Sequence, residues 1–384
     1  LGDIFALQDE IVRRIVTTSN LQLNLAQQGF VIPRSTENLE AYDALLRGLE
    51  YELAFTSDGI TKARQMFEKA IALDPKYAMA YSVVGANYWA GSALALNPDP
   101  NGMERALTLE QQAIALDDSL SHAHSTLGAI YMLGEPDHAL VEAERGVALD
   151  PNSAIGYFWL AEVLNFLFKP TEALIAIQKA MRLDPKATDF YSSEQGWAYT
   201  LLGRWEESIS SLKPYLARYS GNLWAHVYLA EDYTALGDKD TAQAEVAEVQ
   251  RAVALEPNSS FGYFALAEAL NGTGRPAEAL AAAEKAMRLD PKSTDFYVRG
   301  WAYAQLGRWR ESISALKRLS PSNNPRPHVW LAVDYVELGR DDDARAEIAE
   351  LRKLNPQLSM KMGVAAFPAD EERAAADLRK AGLN

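Results

Sequence analysis

The residues best placed to do chemistry in this chain form a trio that occurs twice. Phe158, Glu162 and Asn165 return as Phe264, Glu268 and Asn271 at the same spacing. An aromatic ring beside a carboxylate and an amide suits noncovalent capture of a cationic or amide-rich group, and it does not make a catalytic set. The five histidines, His122, His124, His138, His226 and His328, fall into no His-Glu-x-x-His pattern; Gly-x-Ser-x-Gly, phosphate-loop and dinucleotide signatures do not occur. His226 and His328 occupy the same position of duplicated segments and read as packing residues with a satisfied hydrogen bond. The run Asp341-Asp342-Asp343 falls where a second helix begins, and carboxylates there complement the positive end of the helix dipole. Zero cysteines exclude disulfides and thiol chemistry and remove the commonest zinc ligands. The expectation is a chain that is not an enzyme, with no catalytic residue, no metal and no cofactor.

The elements that carry the trio are repeated as well. Ala180–Lys186 returns as Ala286–Lys292, inside a block of about one hundred residues written twice. A shorter period lies within it: Pro151 to Pro185 and Pro257 to Pro291 are each 34 residues, the length of a two-helix repeat. Tyr157, Leu160, Ala161 and Leu164 fall at i, i+3, i+4 and i+7 and give one helix an apolar face. Ala173, Ile177 and Ala180 face a second helix, and Pro170 and Thr171 supply the turn between them. Each unit is therefore expected to be an antiparallel helix pair with small residues at the close approach.

These residues resemble the tetratricopeptide repeat. The clearest match is Gly196, Tyr199, Gly203 and Trp205, with their copies Gly300, Tyr303, Gly307 and Trp309. Nine such units span residues 36–356. The expected fold is all-α, a solenoid of about nine helix-turn-helix repeats forming a right-handed superhelix with a C-terminal capping helix. Residues 1–35 are expected to form an N-terminal helical segment that ends a preceding domain or linker, and residues 357–384 the cap, with its helix at Asp370–Ala381. Two departures stand out: an insertion at Ala93–Gly102, and Ser208 and Ser312 where the family has a small Ala.

The resemblance implies that the first helix of each pair lines a concave groove. Carried over position by position, the lining would include Phe158, Glu162, Asn165, Trp197, Glu231, Phe264, Glu268, Asn271 and Trp301. Phe158, Trp197 and their copies would serve as well in the core between repeats. The carboxylates favour the groove, since an unpaired buried carboxylate is costly. Glu162, Glu231 and Glu268 would repel a C-terminal carboxylate, which argues against the chaperone-tail clamp found in some members of the family.

The chain ends carry a second resemblance. Asp3-Ile-Phe-Ala-Leu-Gln-Asp-Glu10 within an amphipathic helix, Asn38-Leu-Glu-Ala-Tyr42 and Asp377–Leu383 are similar to segments of bacterial class III adenylate/guanylate cyclase-like proteins that carry such repeats. The implied role is a regulatory or interaction region of a larger bacterial protein. The alternative is the accessory half of a nucleotide cyclase, acting in cis.

Composition narrows the partners. With 37 Lys and Arg against 52 Asp and Glu, the net charge of −15 argues against nucleic acid. It suits a cationic protein or peptide and is also an ordinary solubility device. No apolar run is long enough to insert into a membrane. Homo-oligomer formation through Trp-rich and Tyr-rich faces fits the composition, and the expected location is cytoplasmic, with a periplasmic one left open.

Overall fold

The computed structural model describes residues 16–25, 34–53, 56–93, 99, 101–132, 135–291, 296–318 and 325–383. Residues 3–15 of the N-terminal phrase, and residues 94–98 and 100 of the Ala93–Gly102 insertion, lie outside them. Residues 16–25 are helical and place Leu21 and Leu25 against the first repeat.

Nine antiparallel helix pairs follow among the described residues. They are Leu39–Glu52 with Ser57–Leu73, Ala78–Ala93 with Gly102–Leu116, Ser121–Tyr131 with Pro136–Leu149, and Ala154–Phe166 with Pro170–Leu183. Next come Thr188–Leu201 with Trp205–Arg218, Leu223–Ala235 with Lys239–Leu255, and Ser260–Gly272 with Pro276–Leu289. Phe296–Gln305 with Trp309–Leu316 and Arg326–Glu337 with Asp341–Leu354 complete the series. Successive first helices pack on one another from the second unit onward, so they form the inner layer of an all-α superhelix.

Local chemistry explains the boundaries. Ser153 and Ser259 occupy equivalent N-caps, their hydroxyls accepting from the amides of Gly156 and Gly262 at 3.0 Å. Pro136, Pro170 and Pro276 open second helices, where a missing N–H costs nothing. The turn inside a unit requires a left-handed residue, supplied by Gly203 at φ 64° and Gly307 at φ 70°. Unit four puts Phe168 there at φ 58°, with its ring buried.

The serines that depart from the family pattern have a structural reason. Ser312 Oγ donates to buried Asp334 Oδ2 at 2.5 Å, and Thr200 Oγ1 joins Ser208 Oγ and Asp232 Oδ1, both at 2.9 Å. Each serine thus helps tie its unit to the first helix of the next. Histidine does a related job within units: His124, His226 and His328 each bond a second-helix glutamate, Glu142, Glu245 and Glu347, at 2.6 Å.

After the ninth pair come two short helices, Met360–Ala365 and Glu371–Lys380. The latter packs on Arg326–Glu337 and buries Ala374 and Leu378. The segment before it does more than cover an end. Asn355 Nδ2 donates to the carbonyl of Phe168 at 2.6 Å, and Met360–Ala365 touches Thr188–Leu201, so the C-terminal segment closes the superhelix onto its own middle.

Candidate functional site

The inner layer is paved with aromatic rings because first-helix residues point to the superhelix interior one turn apart. Trp89 meets Trp159 edge-on at 4.9 Å, and Phe158 lies 4.9 Å from Phe190. Trp197 stacks on Tyr228 at 5.3 Å, Trp224 meets Phe264 at 5.5 Å, and Phe264 meets Tyr297 at 5.4 Å. Between these rings runs a cavity of about 240 Å³ that extends from the first unit to Arg326 in the ninth. Its polar wall includes Glu52, Glu162, Glu194 and Glu268.

Phe158, Glu162, Trp197, Phe264 and Glu268 line this cavity. Glu231 and Trp301 lie in a smaller adjoining cleft, closed on one side by Ala365 and Ala366 of the C-terminal segment. The aromatics are both core and wall: Phe158 is 8% exposed, Trp197 7% and Phe264 5%. Asn165 and Asn271 correct the expectation. Both are fully buried and line no cavity wall themselves; each amide reaches the next unit's backbone, and that of Asn165 also the Glu194 carboxylate. Asn165 Nδ2 donates to the Glu194 carbonyl at 3.0 Å, and Asn271 Nδ2 to the Val298 carbonyl at 2.7 Å. A buried carbonyl needs a donor, and an i+7 amide on the preceding helix supplies it.

The carboxylates form two groups of different character. In the later group Glu268 faces a cation: Arg326 Nη1 lies 3.6 Å from its Oε1 and 3.3 Å from the Tyr297 hydroxyl, which itself donates to Glu268 Oε2. Burial pushes Glu268 up, with Arg326 and Tyr297 opposing. Burial and the nearby Glu268 push Glu231 well up, and Arg326 again opposes.

In the earlier group Glu162 faces another acid, Glu194. Burial, then the charge of Glu194, raises Glu162 well above the usual carboxylate range. Burial raises Glu194 to about 7, with the Asn165 amide, 3.2 Å from its Oε2, opposing. Glu162 Oε2 is buried and has no hydrogen-bond partner among the described residues; the indole Nε1 atoms of Trp159 and Trp197, in the same wall, are in the same condition.

Glu194 and Arg326 did not follow from the family positions. A signal for each existed. Glu194 lies in Ser192–Gln195, where the two copies differ by two residues, and Arg326 stands two residues before His328 where Trp224 stands before His226.

Family models agree with the repeated helix pairs. Models described as tetratricopeptide repeat match residues 270–333 and, in a second form, 223–248 and 325–350. A protein of Rhizobium meliloti (strain 1021), provisionally named adenylate cyclase 3, is 32% identical over 99 residues. That stretch is 24% of this chain and only 17% of the relative's length. Among solved structures, a thermophilic tetratricopeptide-repeat protein of Thermus thermophilus is 26% identical over 44% of this chain and 92% of its own, with a TM-score of 0.37. The APC/C hetero-tetramer Cut9–Hcn1 contains a chain 17% identical, covering 97% of this chain and 82% of that one, with a TM-score of 0.43. No helix among the described residues is long and apolar enough to cross a membrane.

Proposed function

We propose that this solenoid of tetratricopeptide repeats is a non-catalytic scaffold that holds an extended peptide or partner segment against its inner face. The observation that carries the reading is the aromatic-walled cavity with buried polar atoms left without partners among the described residues. Rigid rings present large apolar area at low entropic cost, and unpartnered N–H and carboxylate groups favour a ligand that brings its own hydrogen bonds. Glu162→Lys places a long cationic side chain in this cavity beside Glu194. Affinity capture with the intact chain as bait, followed by mass spectrometry, is expected to recover a partner with the native protein and to lose it with Glu162→Lys at unchanged helicity. The same partner retained by both would sink the assignment.

A second reading rests on the partial match to the Rhizobium protein. Here the repeats regulate nucleotide cyclisation by a catalytic domain in the same polypeptide. Removing residues 36–384 from a full-length cyclase would then change turnover or its response to ligand; equal turnover and equal response exclude the role.

A further inference from the structure

The two copies of the duplicated cassette allow one site to be read against the other. In the later copy, Glu268 lies 3.6 Å from Arg326, and that guanidinium also sits 5.6 Å from the centres of the Trp197 and Tyr297 rings. This is a complete cation site with carboxylate, phenol and aromatic faces, and the chain fills it with its own arginine.

The earlier copy keeps the acceptor and changes the donor. Glu162 corresponds to Glu268. Asn165 and Asn271 bond the carbonyls of Glu194 and Val298, which fixes those two as equivalent and shows that this copy has gained a carboxylate where the other has an alkyl chain. The position of Arg326 is taken by Trp224, as the shared His226 and His328 register shows. Trp224 lines the cavity with Glu162 and Glu194 and contributes an aromatic ring in place of a charge. Among the described residues the earlier copy therefore holds two acids, several rings and no counterpart of Arg326.

Two further observations point to a ligand. Among the described residues Glu162 Oε2 is buried without a partner, and the indole N–H groups of Trp159 and Trp197, cavity-lining residues each more than nine-tenths buried, have no acceptor. A cation would satisfy the acids and not the indoles. A carbonyl next to a cation satisfies both.

Resting on the peptide-binding reading above, we propose that Glu162 and Glu194 form the recognition centre for one basic side chain of a bound peptide, which takes the place that Arg326 takes in the other copy. The indole N–H groups of Trp159 and Trp197 bond carbonyls of the same peptide. Proximity of the two acids, each raised by burial, makes the pair costly to ionise together unless a cation enters between them.

The probe is the blocked tripeptide acetyl-Ala-Arg-Ala-amide, with the citrulline tripeptide as its neutral isostere and agmatine as a guanidinium without peptide carbonyls. Binding is read by calorimetry and tryptophan fluorescence. The arginine peptide is expected to bind at least about tenfold more tightly than either comparator. Glu162→Gln and Glu194→Gln are each expected to remove the preference over the citrulline peptide. Trp224→Arg supplies the missing internal cation and is expected to abolish arginine binding with both acids intact. Thermal melts of each variant establish that it is folded.

Equal binding of the arginine and citrulline peptides overturns the cation centre and leaves the peptide groove standing. Agmatine binding as tightly as the peptide overturns the peptide as the source of the cation. No binding of any probe to the native chain overturns the centre as well, and the capture experiment then judges the groove separately. Undiminished arginine preference in folded Trp224→Arg has the same force against the proposal.

Discussion

Glu268→Lys will destabilise the protein by about 3–5 kcal/mol, whereas the same change at the duplicated position, Glu162→Lys, will cost less. At Glu268 the substitution leaves buried Arg326 facing a second cation and strips the Tyr297 hydroxyl of its acceptor. Removing one partner of a buried pair exposes the full desolvation cost of the other, which exceeds the net worth of the intact pair. At Glu162 the substitution strips no buried cation of its partner, and the new ammonium faces Glu194. Denaturant unfolding of the two variants, compared with the native chain, checks the asymmetry. Equal losses would mean that the two carboxylate groups are electrostatically alike, against the geometry of Arg326.

Stability will be greater near pH 5 than near pH 8.5. Glu52 and Glu194 rise from 4.5 to about 7 and Asp334 from 3.8 to about 8, in each case chiefly through burial. These folded-state values lie above the unfolded ones, so the folded chain binds more protons through the interval between them. The stability that the protonated groups contribute is complete below about pH 4 and is lost as pH rises through 7 to 8. His122 acts in the opposite sense. Burial lowers it from 6.5 to about 4, so its contribution is present above 6.5 and lost as pH falls toward 4. Several acids outweigh one histidine, and the free energy of unfolding should fall by an amount on the order of a few kcal/mol between pH 5 and 8.5, as read from denaturant titrations at the two pH values. Glu194→Gln and Asp334→Asn should each flatten the profile. A flat native profile would show that water reaches these carboxylates.

The helix pairs were legible because their causes are local. The 3.6-residue spacing of Leu160, Ala161 and Leu164, the Ser153 and Ser259 caps and the left-handed Gly203 and Gly307 act within a few residues of themselves. A 34-residue period then implies stacking, since a single pair cannot bury its apolar face alone.

Which side chain meets which across the interior is a different matter. Asn165 and Asn271 share a helix with the carboxylates of their trios, and only the position of the neighbouring unit's carbonyl drew their amides to its backbone. Arg326 belongs with Glu268 and Trp197 because the superhelix curves units five to nine around one space. Asn355 finds Phe168 for the same reason, although 187 residues separate them. The sequence by itself determined the repeat, the helices and the candidate carboxylates of their inner faces. The tertiary structure alone decided that one copy of the cassette is neutralised by its own arginine and the other is not, because burial and the winding of the superhelix, not local spacing, set the partners of a buried charge.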